Sequence, residues 1–232
     1  GELCRISQSG EIAKLYQDDG KSPLFEAATP LTIHVQASGK LLVGTNAGLW
    51  QVDPKASSSR SIARHEESIG KDLIFALSSQ PDGTVWIGAE KGLYRLDPQT
   101  NAIPVLSDML PQRTARRAVV HHARNGSHWI GSYYGLYRRR ATPAKNSDLD
   151  EGLGVDSGVI KIVEGLDGGL WFASYSQGIL YLPRTIEKFI VVPDFFEHSY
   201  SKLIGADFDS EGNIWVLVNN GVYQIKKSSK KF

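Results

Sequence analysis

The chain of 232 residues has one cysteine, Cys4, so it can form no internal disulfide framework and no CxxC metal site. No apolar run reaches the roughly 18 residues of a membrane-spanning helix, so this segment is expected to stay out of the membrane. Gly1-Glu2-Leu3-Cys4-Arg5 does not read as the start of a signal peptide. An excess of either charge is also missing: 26 Lys and Arg against 25 Asp and Glu leave a formal charge of +1. A nucleic-acid binder needs a basic excess or stripe to release counterions from phosphates, so no nucleic-acid partner is expected. GxSxG, P-loop, HExxH and GxGxxG signatures are all absent, which removes the familiar hydrolase, nucleotide and metalloprotease classes. With 41% hydrophobic and 22% charged residues, the chain is nevertheless that of a folded protein.

Glycine is plentiful. The 23 glycines are about 10% of the chain, against a usual value of about 7%. They recur in register. Gly39-Lys40-Leu41-Leu42-Val43-Gly44-Thr45-Asn46-Ala47-Gly48-Leu49-Trp50 aligns with Gly83 to Tyr94, and both align with Gly126 to Tyr137. Gly168 to Tyr181 follows, with one extra residue before its second glycine, and then Gly212 to Tyr223. The tryptophan position falls at Leu42, Trp86, Trp129, Trp171 and Trp215, at spacings of 44, 43, 42 and 44 residues.

Each unit reads as strands. Val85-Trp86-Ile87 and Ile214-Trp215-Val216 are β-branched and aromatic. Val159 to Val163 gives an earlier strand that ends at Asp167-Gly168, a hairpin signal. Leu93 to Leu96 gives a third strand, stopped by Asp97-Pro98. Residues 60–64 and 102–106 read as outer strands, where Pro104 can spare its missing amide. Four short antiparallel strands every about 40–45 residues make one blade of a β-propeller.

The sequence therefore predicts an all-β β-propeller domain over residues 1–232, with about five blades of four antiparallel strands. The ring is either closed or part of a larger propeller. Repeat units lie near 30–66, 72–108, 117–142, 158–192 and 202–227. Residues 1–17 are either a partial blade or a strand that closes the last one. The repeated tryptophans are expected to pack between blades, and the glycine or alanine after them lets neighbouring blades approach.

The stretch from Asp82 to Pro98 resembles the two-component regulator propeller repeat, with Asn125 to Arg138 and Asp167 to Pro183 as further copies. Leu42, Ala173, Leu217 and Arg138-Arg139-Arg140 depart from the pattern and mark degenerate blades. The resemblance implies the extracytoplasmic sensor region of a bacterial hybrid histidine kinase or related signalling receptor. It implies a periplasmic location and a parent protein that is membrane-anchored and dimeric. Two alternatives stand beside the sensor. One is a protein-interaction scaffold. The other is a streptogramin-lyase-like enzyme, which Gly168-Gly169-Leu170-Trp171-Phe172 resembles and which implies a seven-blade ring with a metal-assisted histidine.

Loops between the second and third strands vary, as binding loops on a rigid scaffold do. They supply the candidate ligand residues: Asn46, Glu90, Lys91, Tyr133, Tyr134, Tyr175, Gln177 and Asn219. Aromatic rings with polar neighbours suit a small molecule, an oligosaccharide or a peptide. No catalytic residue, cofactor or metal is expected. His121, His122 and His128 lack an acidic or cysteine partner in the sequence. His198, near Asp194, Glu197 and Tyr200, is a candidate polar contact. Arg113, Arg116, Arg117, Arg124 and Arg138 to Arg140 make the middle basic, balanced by Asp148, Asp150, Glu151 and Asp156.

Overall fold

The computed structural model describes residues 3–15, 24–25, 28–54, 58–60, 69–80, 82–97, 117–139, 149–150, 153, 155, 158–184, 189–191, 203–219 and 221–226. Among these residues the protein is all-β, without a helix. Two compact units divide the chain, residues 1–117 and 118–232.

In the first unit, β1 (Leu3–Ile6) pairs with β2 (Ile12–Leu15). A four-stranded sheet follows, in the order β3 (Pro30–Val35), β4 (Leu41–Thr45), β5 (Gly48–Asp53) and β6 (Ser58–Arg60). A three-stranded sheet, β7 (Ile74–Ser79), β8 (Val85–Ala89) and β9 (Leu93–Leu96), completes the unit. The second unit holds three sheets. They are β10 (Val119–His122), β11 (His128–Ser132), β12 (Gly135–Arg139) and β13 (Leu149–Asp150); β14 (Val159–Glu164), β15 (Leu170–Ser174), β16 (Gly178–Leu182) and β17 (Ile190–Val191); and β18 (Leu203–Phe208), β19 (Ile214–Val218) and β20 (Gly221–Ile225). All pairings are antiparallel. The outer strand read at 102–106 lies outside the described residues, and so do positions 61–64 of the one read at 60–64. The strand considered as a clasp for the last sheet, β2, pairs with β1 in register Leu3↔Leu15 to Ile6↔Ile12.

One turn design joins the first two strands of every sheet. The glycine at its end has φ between 78° and 86° at Gly39, Gly83, Gly126, Gly168 and Gly212, the left-handed region that a Cβ disfavours. Its amide donates to the carbonyl three residues back, as Gly83 does to Gln80 and Gly168 to Gly165. All five of these turns add a side-chain acceptor: Ser38, Asp82, Asn125 and Asp167 each take the amide two residues on, and Asp209 takes those of Glu211 and Asn213.

The core lies between sheets. In the first unit, Leu42 and Leu49 of one sheet pack with Ile74, Val85, Ile87, Ala89, Tyr94 and Leu96 of the next, with Ile69 between. The opposite side of the first sheet carries a second cluster, where Val43 and Val52 meet Leu24, Phe25 and Ala28. In the second unit, Trp171, Ala173, Ile179 and Tyr181 face Ile214, Val216, Val218 and Ile225. The small residue after the tryptophan position sets the spacing. A Cβ on Gly131 would fall 2.8 Å from methyls of Val119 and Val159, one on its own sheet and one on the next.

Trp86, Trp129 and Trp171 are buried as the repeat requires. Trp215 is not; it is exposed. Strand identity alone does not bury this side chain, because cover comes from a neighbouring sheet and not from its own strand.

Candidate functional site

The tips between the second and third strands of the β3–β6, β10–β13 and β14–β17 sheets are held from below. Thr45 Oγ1 donates to the Gly48 carbonyl at 2.8 Å and accepts the Ala47 amide at 3.0 Å. Ser132 Oγ repeats this, taking the Tyr134 amide at 3.1 Å and reaching the Gly135 carbonyl at 3.5 Å. Ser174 Oγ accepts the Gln177 amide at 3.4 Å. All three hydroxyl residues are fully buried, so each is a staple under an exposed turn. They were legible as a Thr or Ser three or four residues before the second glycine, yet sequence reasoning passed over them.

On two of these stapled turns in the second unit stand Tyr133, Tyr134 and Tyr175, all exposed. The Tyr133 ring centre lies 5.4 Å from that of Tyr134, with the planes at 82°, and 6.4 Å from that of Tyr175, at 60°. Two neighbouring sheets thus bring three of the candidate residues together. Gln177 is half-buried on the Tyr175 turn, and Asn219 is exposed on the last sheet.

In the first unit the candidate residues are tied more firmly. Asn46 exchanges hydrogen bonds with Thr29: its Oδ1 accepts the Thr29 amide at 2.7 Å, and its own amide donates to the Thr29 carbonyl. The Glu90 carboxylate accepts Arg117 Nε at 2.8 Å. Arg117 has a positive φ of 53° and lays its guanidinium 4.8 Å from the centre of the Phe75 ring. The Lys91 amide donates to Asp72 Oδ2 at 3.1 Å. Asp72 is buried, takes the Tyr94 hydroxyl at 3.2 Å as well, and was not foreseen. Burial first, then this carboxylate, pushes the Tyr94 hydroxyl up to about 12. Tyr181, which donates to Asp167 at 3.2 Å, is raised to about 12 for the same reasons.

The histidines separate. His121 and His122 sit on opposite sides of β10, as alternation demands. His122 meets His128 across the hairpin, with ring centres 4.7 Å apart. His121 Nε2 lies 3.4 Å from Glu164, an acidic partner supplied by the next sheet that the sequence did not reveal. Burial lowers His121 against the opposing pull of Glu164, and lowers His128 with help from His122 and Arg139. Among the described residues no group of three or more His, Cys, Asp or Glu is placed to hold a metal ion. His198 lies outside the described residues, as do Arg113, Arg116 and Arg140. Arg117, Arg124 and Arg138 have separate partners. Arg124 donates to Glu164 from its amide and to the Gly165 carbonyl from its side chain, and Arg138 stacks over Trp129.

No protein-family model and no curated protein matches the chain. Solved structures match it by fold. The extracellular domain of the hybrid two-component system BT3049 of B. thetaiotaomicron aligns with a TM-score of 0.70 and 17% identity, over 94% of this chain and 30% of that one. The corresponding domain of BT4673 from the same organism aligns with a TM-score of 0.69 and 15% identity, over 99% of this chain and 32% of that one. A streptogramin B lyase aligns with a TM-score of 0.66 and 13% identity, over 99% of this chain and 74% of that one.

The class so defined is an all-β protein of propeller-like antiparallel sheets. Within it, the chain resembles in fold the extracellular domains of hybrid two-component systems. It spans about a third of the length of those domains.

Proposed function

We propose that this chain is the non-catalytic, ligand-binding part of an extracytoplasmic receptor of the hybrid two-component type, built as about five propeller blades. The observation that carries the proposal is the tyrosine group. Tyr133, Tyr134 and Tyr175 stand exposed on turns whose buried hydroxyls hold them still. Three fixed rings offer stacking area at small entropic cost, which suits a sugar-like, peptide or other small organic ligand. Gln177 supplies a polar group on the Tyr175 turn. Asn219 holds the corresponding turn of the last sheet, and Asn46, Glu90 and Lys91 hold those of the first unit. The parent protein is membrane-anchored and dimeric in this proposal. Stacked sheets of this kind have no large internal two-state element, so the signal passes as a change in how subunits or propellers pack.

A thermal-shift screen with sugars, peptides and divalent metals identifies the ligand class. Changing Tyr134 and Tyr175 together to Ala is expected to weaken the ligand found by about 1–3 kcal/mol with the fold intact. Unchanged affinity in that double variant rejects this face.

A lyase function draws on one observation, the alignment over 74% of a streptogramin B lyase. A streptogramin linearisation assay with added magnesium decides it. Turnover that is lost in His128→Ala or His198→Ala replaces the sensor proposal.

A further inference from the structure

Three strands of the β10–β13 sheet share a row of basic side chains. Register places His122 of β10 opposite His128 of β11, and His128 opposite Arg139 of β12, so all three stand on one side of the sheet. All three are half-buried, and the two imidazole centres lie 4.7 Å apart.

In the other four sheets of three or four strands this row is aliphatic. Its second- and third-strand pairs are Leu41 with Val52, Val85 with Leu96, Leu170 with Leu182, and Ile214 with Ile225. The last three pairs are buried, and Leu41 and Val52 pack beside Leu24 and Phe25. Where the repeat asks for two aliphatic residues, this sheet carries His and Arg. The exchange disfavours the fold twice. Apolar contacts are lost, and the groups that replace them repel one another: His122 and Arg139 both act on His128 as positive neighbours. His122 Nδ1 is buried and makes no hydrogen bond, so nothing at that atom offsets the loss of water. Departures of this kind, unfavourable for the fold, belong at functional positions.

The chemistry selects an anion. Protonated imidazole donates from both ring nitrogens, and a guanidinium donates in a fork that matches an oxyanion. Opposite side chains on adjacent strands are about 4.5–5.5 Å apart at Cβ, so one oxyanion reaches donors from neighbouring strands. An anion also relieves the repulsion within the row. A metal ion would add to it, because Arg139 brings a fixed positive charge, and two histidines alone make a poor metal site. The other charged groups at this end, His121, Arg124 and Glu164, engage one another and the next sheet. β13 places Leu149 opposite Arg139.

We propose that His122, His128 and Arg139 form an oxyanion site, which takes a sulfate or phosphate group, free or carried as an ester on a glycan. The row meets β11 at its first residue, and the tyrosine group follows its last, Ser132, so the site is independent of the ligand proposed above. Binding is proton-linked. Burial and both neighbours hold the His128 pKa below 6.5 in the empty site, and an anion favours the protonated ring. Affinity therefore rises as pH falls.

The test follows the Cε1 protons of His122 and His128 by nuclear magnetic resonance while sodium sulfate replaces sodium chloride at constant ionic strength. Saturable shifts of both resonances are expected at about pH 6, with affinity falling by about tenfold or more at about pH 8. Arg139→Leu, an aliphatic residue as in the other sheets, is expected to weaken sulfate by about tenfold or more, the scale of one hydrogen bond to a charged group. Arg139→Lys is expected to weaken it less. Should Arg139→Leu misfold by circular dichroism, Arg139→Gln is read in its place. A sulfated oligosaccharide separates the sources. Tighter binding than sulfate identifies a glycan ester, equal binding per sulfate group identifies the free ion, and both support the site. Shifts that do not saturate, or that are unchanged by the Arg139 substitution, overturn it. Zinc chloride bound more tightly than sulfate, and tighter still without Arg139, assigns the histidine pair to a metal and also overturns it.

Discussion

Tyr175 rests directly on Gly158. A methyl built on Gly158 would fall 2.8 Å from Cδ2 of the Tyr175 ring and 3.0 Å from the Tyr133 carbonyl oxygen. The Tyr175 amide donates to the Gly158 carbonyl at 2.9 Å. This glycine is therefore the floor under the Tyr175 ring and the Tyr133 backbone. Gly158→Ala is expected to push the Tyr175 ring away and to cost about 1–3 kcal/mol, the usual range for overpacking. Urea denaturation reads the loss. A change within the error of the measurement means that the ring is not seated there.

The tryptophans should differ sharply in what they contribute. Trp171→Ala removes a ring wholly enclosed between two sheets and is expected to cost about 3–5 kcal/mol. Trp215→Ala removes an exposed ring and is expected to cost less than about 1 kcal/mol, in the range of ordinary surface changes. Equal losses in chemical denaturation would contradict the open face of the last sheet.

The repeat made the strands readable. Val85-Trp86-Ile87 or Leu170-Trp171-Phe172 can sit nowhere but in a buried strand, and Asp167-Gly168 all but names its turn. What the repeat could not convey is which copy has a neighbour. Trp215 has the same sequence context as Trp171, yet its burial depends on the next sheet and not on its own strand. The candidate site was legible in the same partial way. The 42-residue spacing of their repeats puts Tyr133, Tyr134 and Tyr175 on neighbouring turns, where their rings meet. The Glu90–Arg117 pair was hidden, because 27 residues separate the partners and the positive φ of Arg117 directs the chain back toward Ala89. Asp72 was hidden too, since a lone aspartate before a strand resembles any loop residue until Tyr94 and the Lys91 amide are seen to converge on it.

Acid should loosen the last sheet first at Asp209. Hydrogen bonds from Asn213 and then Trp215 hold its carboxyl down to about 2. Because the folded value lies below the unfolded one, the stabilisation is complete above the ordinary carboxylate range. It is lost as pH falls toward 2. The indole N–H resonance of Trp215 is expected to shift across that window and to lose its pH dependence in Asp209→Ala.

A second pH response comes from His128. Its pKa is lowered from 6.5, chiefly by burial and further by His122 and Arg139. A depressed histidine binds its proton more readily when unfolded, so it destabilises the fold as pH falls through 6.5 toward the folded value. Urea midpoints are expected to drop between pH 7 and pH 5, and His128→Gln to flatten that drop. An equally steep drop in the variant would assign the response to His121 or His34, which burial also lowers.

Among the described residues, strands pair only with their neighbours in sequence. Loop closure therefore costs little entropy at each step, and contact order stays low for a β-protein. A sheet can close on its own hairpins before the next one docks, so folding can nucleate at several points along the chain and spread outward, as in other repeat arrays. Unfolding runs the same way in reverse, from the least supported sheet. Backbone amides of β18 to β20, anchored on one side alone, should exchange with solvent sooner than those of β14 to β16, which are held on both.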